Sequence, residues 1–232
     1  MLNGLLNLLF PQACPVCRKP SSEHSIAPIC AECWRTIRPY RSPACRRCGA
    51  PLVSDAAATC GDCLRDEPSF ERAVNFGLYE GALRDAINLL KYRGIRRLSG
   101  PLSGMMLRME FPDVDAVVPV PLHEKRLRQR EFNQSALLAA SIARHIGATL
   151  ETGCLVKIRD TPPQVGLRSR ERIKNIKGAF DIRRADRIRG GRILLIDDVV
   201  TTGATVRECS RVLKKAGARA IHVAALAHGV RD

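Results

Sequence analysis

The sequence predicts an α/β protein, a mostly parallel sheet flanked by helices and preceded by a small cysteine-rich module. Three observations carry this prediction. From residue 73 onward, apolar β-branched runs alternate with amphipathic segments, the pattern of a parallel sheet with crossover helices. Eight of the ten cysteines fall before residue 64, in four Cys-x-x-Cys pairs. The 232 residues, 45% of them apolar, suffice for one ordinary core plus an appended module.

The module comes first. MLNGLLNLLF places Leu2, Leu5, Leu6 and Leu9 at helical spacing, so a short helix is expected. It lacks a positive leader and is too short for a secretory signal. The pairs Cys14/Cys17, Cys30/Cys33, Cys45/Cys48 and Cys60/Cys63 are separated by 12, 11 and 11 residues. Near-even spacing of this kind points to zinc, because each pair is a knuckle that offers two thiolates at tetrahedral geometry. CPVCRKP at 14–20 repeats as CRRCGAP at 45–51, and ICAEC at 29–33 as TCGDC at 59–63. The repeat assigns Cys14, Cys17, Cys30 and Cys33 to one zinc, and Cys45, Cys48, Cys60 and Cys63 to another. A cross-braced pairing is the alternative. All-thiolate sites are closed and structural. Cys154 and Cys209 lie outside the module and read as small core residues.

The polar bridge DEPSF at 66–70 divides the chain into residues 1–68, the short helix and zinc module, and 69–232, the α/β domain. AVNFGLY at 73–79 reads as a strand, and ALRDAINLLKYRG at 82–94 as a helix stopped by Gly94. A second helix is expected after Pro101. VDAVVPVP at 114–121 has the composition of a buried parallel strand. LHEKRLRQREFNQ follows as a charged loop, then a helix over SALLAASIARHI. LVKIR at 155–159 is the second strand of this run. Residues 160–178 are polar and too long for an ordinary connection, which marks a functional loop. RILLIDDV is a third strand, GATVRECSRVLKKAGA a helix, and AIHVAALA at 220–227 a fourth strand.

The segment ILLIDDVVTTGATV at 193–206 carries the chemistry. Ligands of such sheets sit at the carboxyl ends of the strands. Asp197 and Asp198 stand at one such end, and the chain then turns into a helix. The N–H groups of that turn and the helix dipole favour an anion. Thr201, Thr202 and Thr205 add hydroxyls, while Gly203 lets the backbone approach closely. A phosphate cradle beside two acids suits a phosphorylated sugar, with its phosphate in the cradle and its hydroxyls and magnesium on the carboxylates. A nucleotide-hydrolase reading fails for want of a GxxxxGK[ST] loop. A receiver domain fails because only 34 residues follow the acid pair.

The motif resembles the one by which type I phosphoribosyltransferases bind phosphoribosyl pyrophosphate (PRPP). The resemblance implies PRPP on Asp197, Asp198, Thr201, Thr202, Gly203, Ala204 and Thr205, with the acid pair as the catalytic residues. Together with PVPLHEKRLRQREFNQ, KYRG and PPQVGLRSRERIKNIKGAF, the double cysteine module makes the whole chain similar to the ComF family, a group linked to natural competence and use of external DNA. The family places a glycine where Glu131 stands here, and positive φ is costly for glutamate. By resemblance, Arg126, Arg128 and Arg130 hold the pyrophosphate end, and the connection before the third strand is a hood over the site. Asn133 fits a helix cap as well as a ligand contact.

The charge narrows the partners. Thirty-eight Lys/Arg against 23 Asp/Glu give +15, which favours polyanions. Residues 157–192 hold 12 Lys/Arg and 4 Asp/Glu, a surplus of +8. Lys157, Arg159, Arg168, Arg170, Arg172, Lys174 and Lys177 are the candidate contacts to a DNA backbone. No apolar run approaches the ~18 residues of a membrane span, so a cytoplasmic protein is expected. Two functions of different class stay open. One is a DNA-uptake protein that binds single-stranded DNA and PRPP-type ligands, with competence-machinery proteins as further partners. The other is a working phosphoribosyltransferase with an unknown acceptor, for which no general base is visible. The two structural zincs, and magnesium with PRPP, are the expected cofactors.

Overall fold

The computed structural model describes residues 12–21, 23–54, 56–162 and 169–229. The expected helix over MLNGLLNLLF lies outside them. A two-stranded ribbon, β1 (Gln12–Ala13) and β2 (Pro20–Ser21), opens the cysteine module, followed by α1 (Ala31–Thr36) and α2 (Gly61–Arg65). The α/β body then runs β3 (Arg72–Leu78), α3 (Gly81–Arg93), a 3-10 turn (Arg96–Leu98), α4 (Ser99–Met106), β4 (Ala116–Pro119), α5 (Glu124–Arg130), α6 (Gln134–Ile146) and β5 (Thr149–Leu150). It continues with β6 (Leu155–Lys157), α7 (Ser169–Ile176), β7 (Phe180–Ile182), β8 (Arg192–Val200), α8 (Ala204–Lys215) and β9 (Ala220–His228).

The central sheet has five strands in the order β3-β9-β8-β4-β5, every pair parallel. Its inner strands β4, β8 and β9 are buried on both faces, which explains their near-continuous apolar sequence. Alternation along each strand sorts the core in two. Val117, Leu194, Ile196, Ala224 and Leu226 pack under α3, α4 and α6 with Leu83, Ile87, Leu90, Leu138 and Ile142. Ala116, Val118, Ile193, Leu195 and Val223 face α8 through Val206, Cys209, Val212 and Leu213. Cys154 and Cys209 are fully buried core residues.

Three expectations change. The charged segment after β4 is a helix, α5, ending at Glu131; none of its residues is buried, so it carries no apolar stripe to announce it. β6 does not join the central sheet but pairs antiparallel with β7, Leu155 opposite Ile182 and Lys157 opposite Phe180. Residues 160–178 contain α7 between those two strands. Together β6, α7 and β7 form a hood. It is pinned by Arg159, which donates to the carbonyls of Asn175 (2.9 Å) and Lys177 (2.7 Å). Glu208 of α8 accepts from the Gly178 N–H at 2.7 Å.

The cysteine module is seated on the body rather than tethered to it. Cys14, Cys30 and Cys33 belong to the core cluster built on α3 and α4. Arg97 donates to the carbonyls of His24 (3.0 Å) and Ala27 (2.9 Å). On the other half, the Ala73 N–H of β3 donates to the Arg47 carbonyl at 2.7 Å.

Candidate functional site: an acidic and basic cleft at the switch point, with two cysteine clusters

From β4 the chain goes to β5 on one side and later to β8 on the other, so the strand order reverses between β4 and β8. A crevice opens at the carboxyl ends of two such strands. A cleft of about 380 Å³ lies there, walled by Val120–Leu122 after β4, by Asp197–Val199, Thr201 and Thr205 from β8 and α8, and by Lys91 and Tyr92 of α3. Arg126 and Arg130 of α5, Gln134 of α6, Tyr79 after β3, and Lys157 and Phe180 of the hood complete the wall.

Asp197 and Asp198 are 8% and 3% exposed. Asp197 Oδ1 accepts from Ser135 Oγ (3.2 Å) and from the Asp198 N–H (2.9 Å). The Lys91 ammonium lies 2.9 Å from Asp198 Oδ2 as an ion pair, and that oxygen accepts no aligned hydrogen bond among the described residues. Burial first, then the neighbouring Asp198, pushes the Asp197 carboxyl up to about 7, against the pull of Lys91. Burial is the largest influence on Lys91 and would lower its pKa, but Asp198, Asp197 and Tyr92 together hold the lysine above its ordinary value. An under-satisfied buried carboxylate beside a second one suits a hard cation or a ligand hydroxyl.

The turn after β8 enters α8 through Gly203, in the left-handed conformation at φ +75°. A side chain there would meet nothing closer than 3.9 Å, so backbone conformation rather than space selects glycine. Thr202 Oγ1 accepts from the Ala204 N–H at 3.4 Å. Thr201, Gly203, Ala204 and Thr205 line a small cavity at this helix start, with Asp197 on its wall.

In the module, the Sγ atoms of Cys14, Cys17, Cys30 and Cys33 all lie within 4.8 Å of one another, as do those of Cys45, Cys48, Cys60 and Cys63. Four thiolates at ~2.3 Å from one zinc stand ~3.8 Å apart. The Cys17–Cys30 and Cys48–Cys60 sulfur separations are both 3.6 Å. Both sets fit zinc, and the grouping is that of the sequence repeat, not the cross-braced one.

The comparisons agree with both halves. The double zinc ribbon domain family matches residues 5–64, and the phosphoribosyl transferase domain family matches residues 133–231. A DNA utilization protein of Salmonella typhi is 32% identical over 224 residues, 93% of this chain and 96% of that one. Competence protein F of Haemophilus influenzae is 31% identical over 210 residues, covering 86% and 90%. The chain belongs to the competence protein F family. Competence protein ComFC of Bacillus subtilis is 27% identical over 200 residues, 82% and 79% of the two chains. This family member therefore pairs two four-cysteine zinc-binding sites with a phosphoribosyltransferase-type domain.

Of the residues singled out in the sequence, the cleft gathers Asp197, Asp198, Thr201, Thr205, Arg126, Arg130 and Lys157. Arg126 is held by the Thr161 carbonyl (2.7 Å) and Arg130 by Gln134 Oε1 (2.6 Å). Arg128 is not among them; it is exposed and paired with Glu124. Lys157 donates to Thr161 Oγ1 at 2.8 Å, and burial, then Arg126, lowers its pKa to about 8. Arg159 is engaged in pinning the hood, while Lys174 and Lys177 are exposed on it. Arg168 lies outside the described residues, and Arg170 and Arg172 belong to α7 with side chains that are not described. Asn133 caps α6, accepting from the Ser135 N–H at 3.0 Å and donating to the Val120 carbonyl at 3.0 Å.

Lys91 carries little weight in the sequence, since a lysine also suits a helix end. Its ion pair with Asp198 shows otherwise, and so does the hydrogen bond from Ser135 to Asp197. Both come from elements far from the acid pair in sequence, and the KYRG string was the available signal for the lysine.

Proposed function

We propose that this chain is a cytoplasmic DNA-uptake protein that binds single-stranded DNA, and PRPP or a related phosphorylated sugar with magnesium, on its phosphoribosyltransferase-type domain. Residues 1–68 and 69–232 are its two units. The observation that carries the reading is the cleft itself: two buried carboxylates and a helix-start cradle face Arg126, Arg130 and Lys157 across one space. The cradle and guanidinium groups suit phosphates. Asp197 and Asp198 would hold magnesium, which offsets charge on a pyrophosphate. The printed names of the relatives, DNA utilization and competence proteins, support the DNA half of the proposal, as does the net charge of +15.

The placement of the acid pair favours a second reading: Asp197 and Asp198 are adjacent and buried, with Asp197 on the cleft wall and hydrogen-bonded to Ser135. Burial and the neighbouring Asp198 raise the Asp197 carboxyl above its ordinary range, which suits a proton-exchanging group. That suits transfer of phosphoribose to an acceptor, with pyrophosphate leaving the anomeric carbon. Titration of PRPP and of DNA into the same preparation, with and without magnesium, tests the binding proposal; no uptake of either ligand would end it. Pyrophosphate release from PRPP on adding acceptors or DNA separates the enzyme from the binding protein.

A further inference from the structure

The large apolar side chains exposed among the described residues include one aromatic ring, Tyr92, 65% exposed at the end of α3. The other aromatic side chains among the described residues are drawn into the cores or half-buried. An exposed ring is ordinary in isolation. Tyr92 is not isolated. The Arg130 guanidinium carbon sits 5.4 Å from its ring centroid, and Arg130 is itself fixed by Gln134. The ring lies on the wall of the acidic cleft and also on that of a second cavity of about 480 Å³, bounded by Gly94, Gln129 and Glu131. The two cavities share Lys91, Tyr92, Arg126 and Arg130. One groove therefore leads from the carboxylate pair, past the ring, along α5. The second cavity is within the ~300–1,000 Å³ typical of small-ligand sites.

A ring with a guanidinium against it, and a second guanidinium beside it, matches one nucleotide of an unpaired strand. The base offers a π-face for stacking and the phosphate takes the arginine. A sugar phosphate in the acid cleft has no use for the ring. We propose that Tyr92 is a base-stacking platform: a nucleotide of a single strand lays its base on Tyr92 and Arg130, with its phosphate on Arg126, in the groove adjoining the acidic cleft. This rests on the single-stranded DNA proposal and deepens it, because it assigns the contact that separates nucleic acid from other polyanions.

The test uses two labelled probes of equal length and charge, oligo-dT and an oligomer of abasic sites, read by fluorescence anisotropy on the full chain. Base–aromatic stacking is worth about 1–3 kcal/mol per base. The native protein should therefore prefer oligo-dT by about 5- to 150-fold. In Tyr92→Ala, and in Tyr92→Leu, which keeps apolar bulk against α3, the preference should fall towards one while abasic binding is unchanged. Tyr92→Trp should keep the preference. Equal binding of both probes by the native protein, or an undiminished preference in Tyr92→Leu, overturns the platform and leaves the DNA proposal standing. Failure to bind either probe overturns both.

Discussion

Arg207 Nη2 donates to Cys63 Sγ at 3.2 Å, while its Nη1 donates to the Asp66 carbonyl at 2.6 Å. Arg207 lies in the first turn of α8, the helix that starts at the phosphate cradle. One side chain thus ties the second zinc site to the turn beside Asp197. Four thiolates around one zinc carry an excess of two negative charges, and a guanidinium on a sulfur lowers the cost of burying that charge.

Arg207→Ala should weaken the second zinc site and leave the first alone. Loss of such outer contacts typically costs about 10- to 100-fold in metal affinity. Timed release of zinc to a colorimetric chelator should change from two similar phases to one fast and one unchanged phase. Two unchanged phases would show that Arg207 is only a surface tether.

Gly49 shows how closely the second cysteine half fits β3. Its φ is +71°, and a Cβ there would stand 2.9 Å from the Ala73 carbonyl oxygen and collide with the Asn75 amide. Gly49→Ala therefore meets both left-handed strain and backbone contact, each on the order of 1–3 kcal/mol. Thermal unfolding should shift down by several degrees, with zinc loss at lower chelator concentration. A melting temperature within a degree of native would mean that the knuckle is not seated on β3.

The strands, the crossover helices and the cysteine pairing were legible because each is written locally: near-continuous apolar β-branched runs, helix stops at Gly94 and Gly217, repeated knuckles. α5 was not, because a helix whose residues stay exposed shows charge and no stripe. β6 was misassigned to the central sheet because its partner β7 lies beyond α7, and so short a strand does not name its neighbour. Within the site, the acid pair and cradle stood out as one contiguous motif. Ser135 did not, since it reaches the cleft from α6 and only tertiary packing brings it there; Lys91 and Tyr92 showed only as the KYRG string at a helix end.

Glu131 stands where the family resemblance leads one to expect a glycine, and it is strained. It ends α5 at φ +65°, a conformation that costs a non-glycine residue roughly 1 kcal/mol. Its ion pair with Arg96, 3.2 Å long, is exposed on both sides and compensates little. Glu131→Gly should stabilise the protein by about 0.5–1 kcal/mol, raising Tm by roughly 1–4 °C. It also removes a negative charge beside the Arg126 and Arg130 groove, so anion affinity should rise. A lower Tm in this variant would count against the strain.

Asp197 should make stability depend on pH. Its carboxyl is raised from an ordinary 3.8 to about 7. A raised acid stabilises the fold fully below its ordinary value, and that contribution is lost as pH rises through about 7. Asp197→Asn should therefore gain Tm over the native protein at pH 8, with the gain shrinking towards pH 5. Magnesium-dependent PRPP binding should move oppositely, strengthening in the native protein from pH 6 to 8 and failing in the variant. A pH-independent Tm difference would place the charge elsewhere.

Salt dependence distinguishes the basic surfaces. Each phosphate contact to a single strand contributes about 0.7 to the logarithmic slope of affinity against salt. Arg126 and Arg130 line the groove, whereas Arg128, one helical face away, is exposed and paired with Glu124. Replacing Arg126 and Arg130 by Ala should lower the slope by about 1.4, and replacing Arg128 alone by little. Replacing Arg168, Arg170 and Arg172 on the basic hood segment should lower it by up to about 2 and weaken all sequences alike. Because β6 and β7 bring the hood to the cleft through Lys157 and Phe180, PRPP should compete with DNA in the native protein. If the hood triple variant keeps the native slope while the Arg126/Arg130 variant loses it, the strand runs along α5 alone. The reverse result would move the strand onto the hood and away from Tyr92.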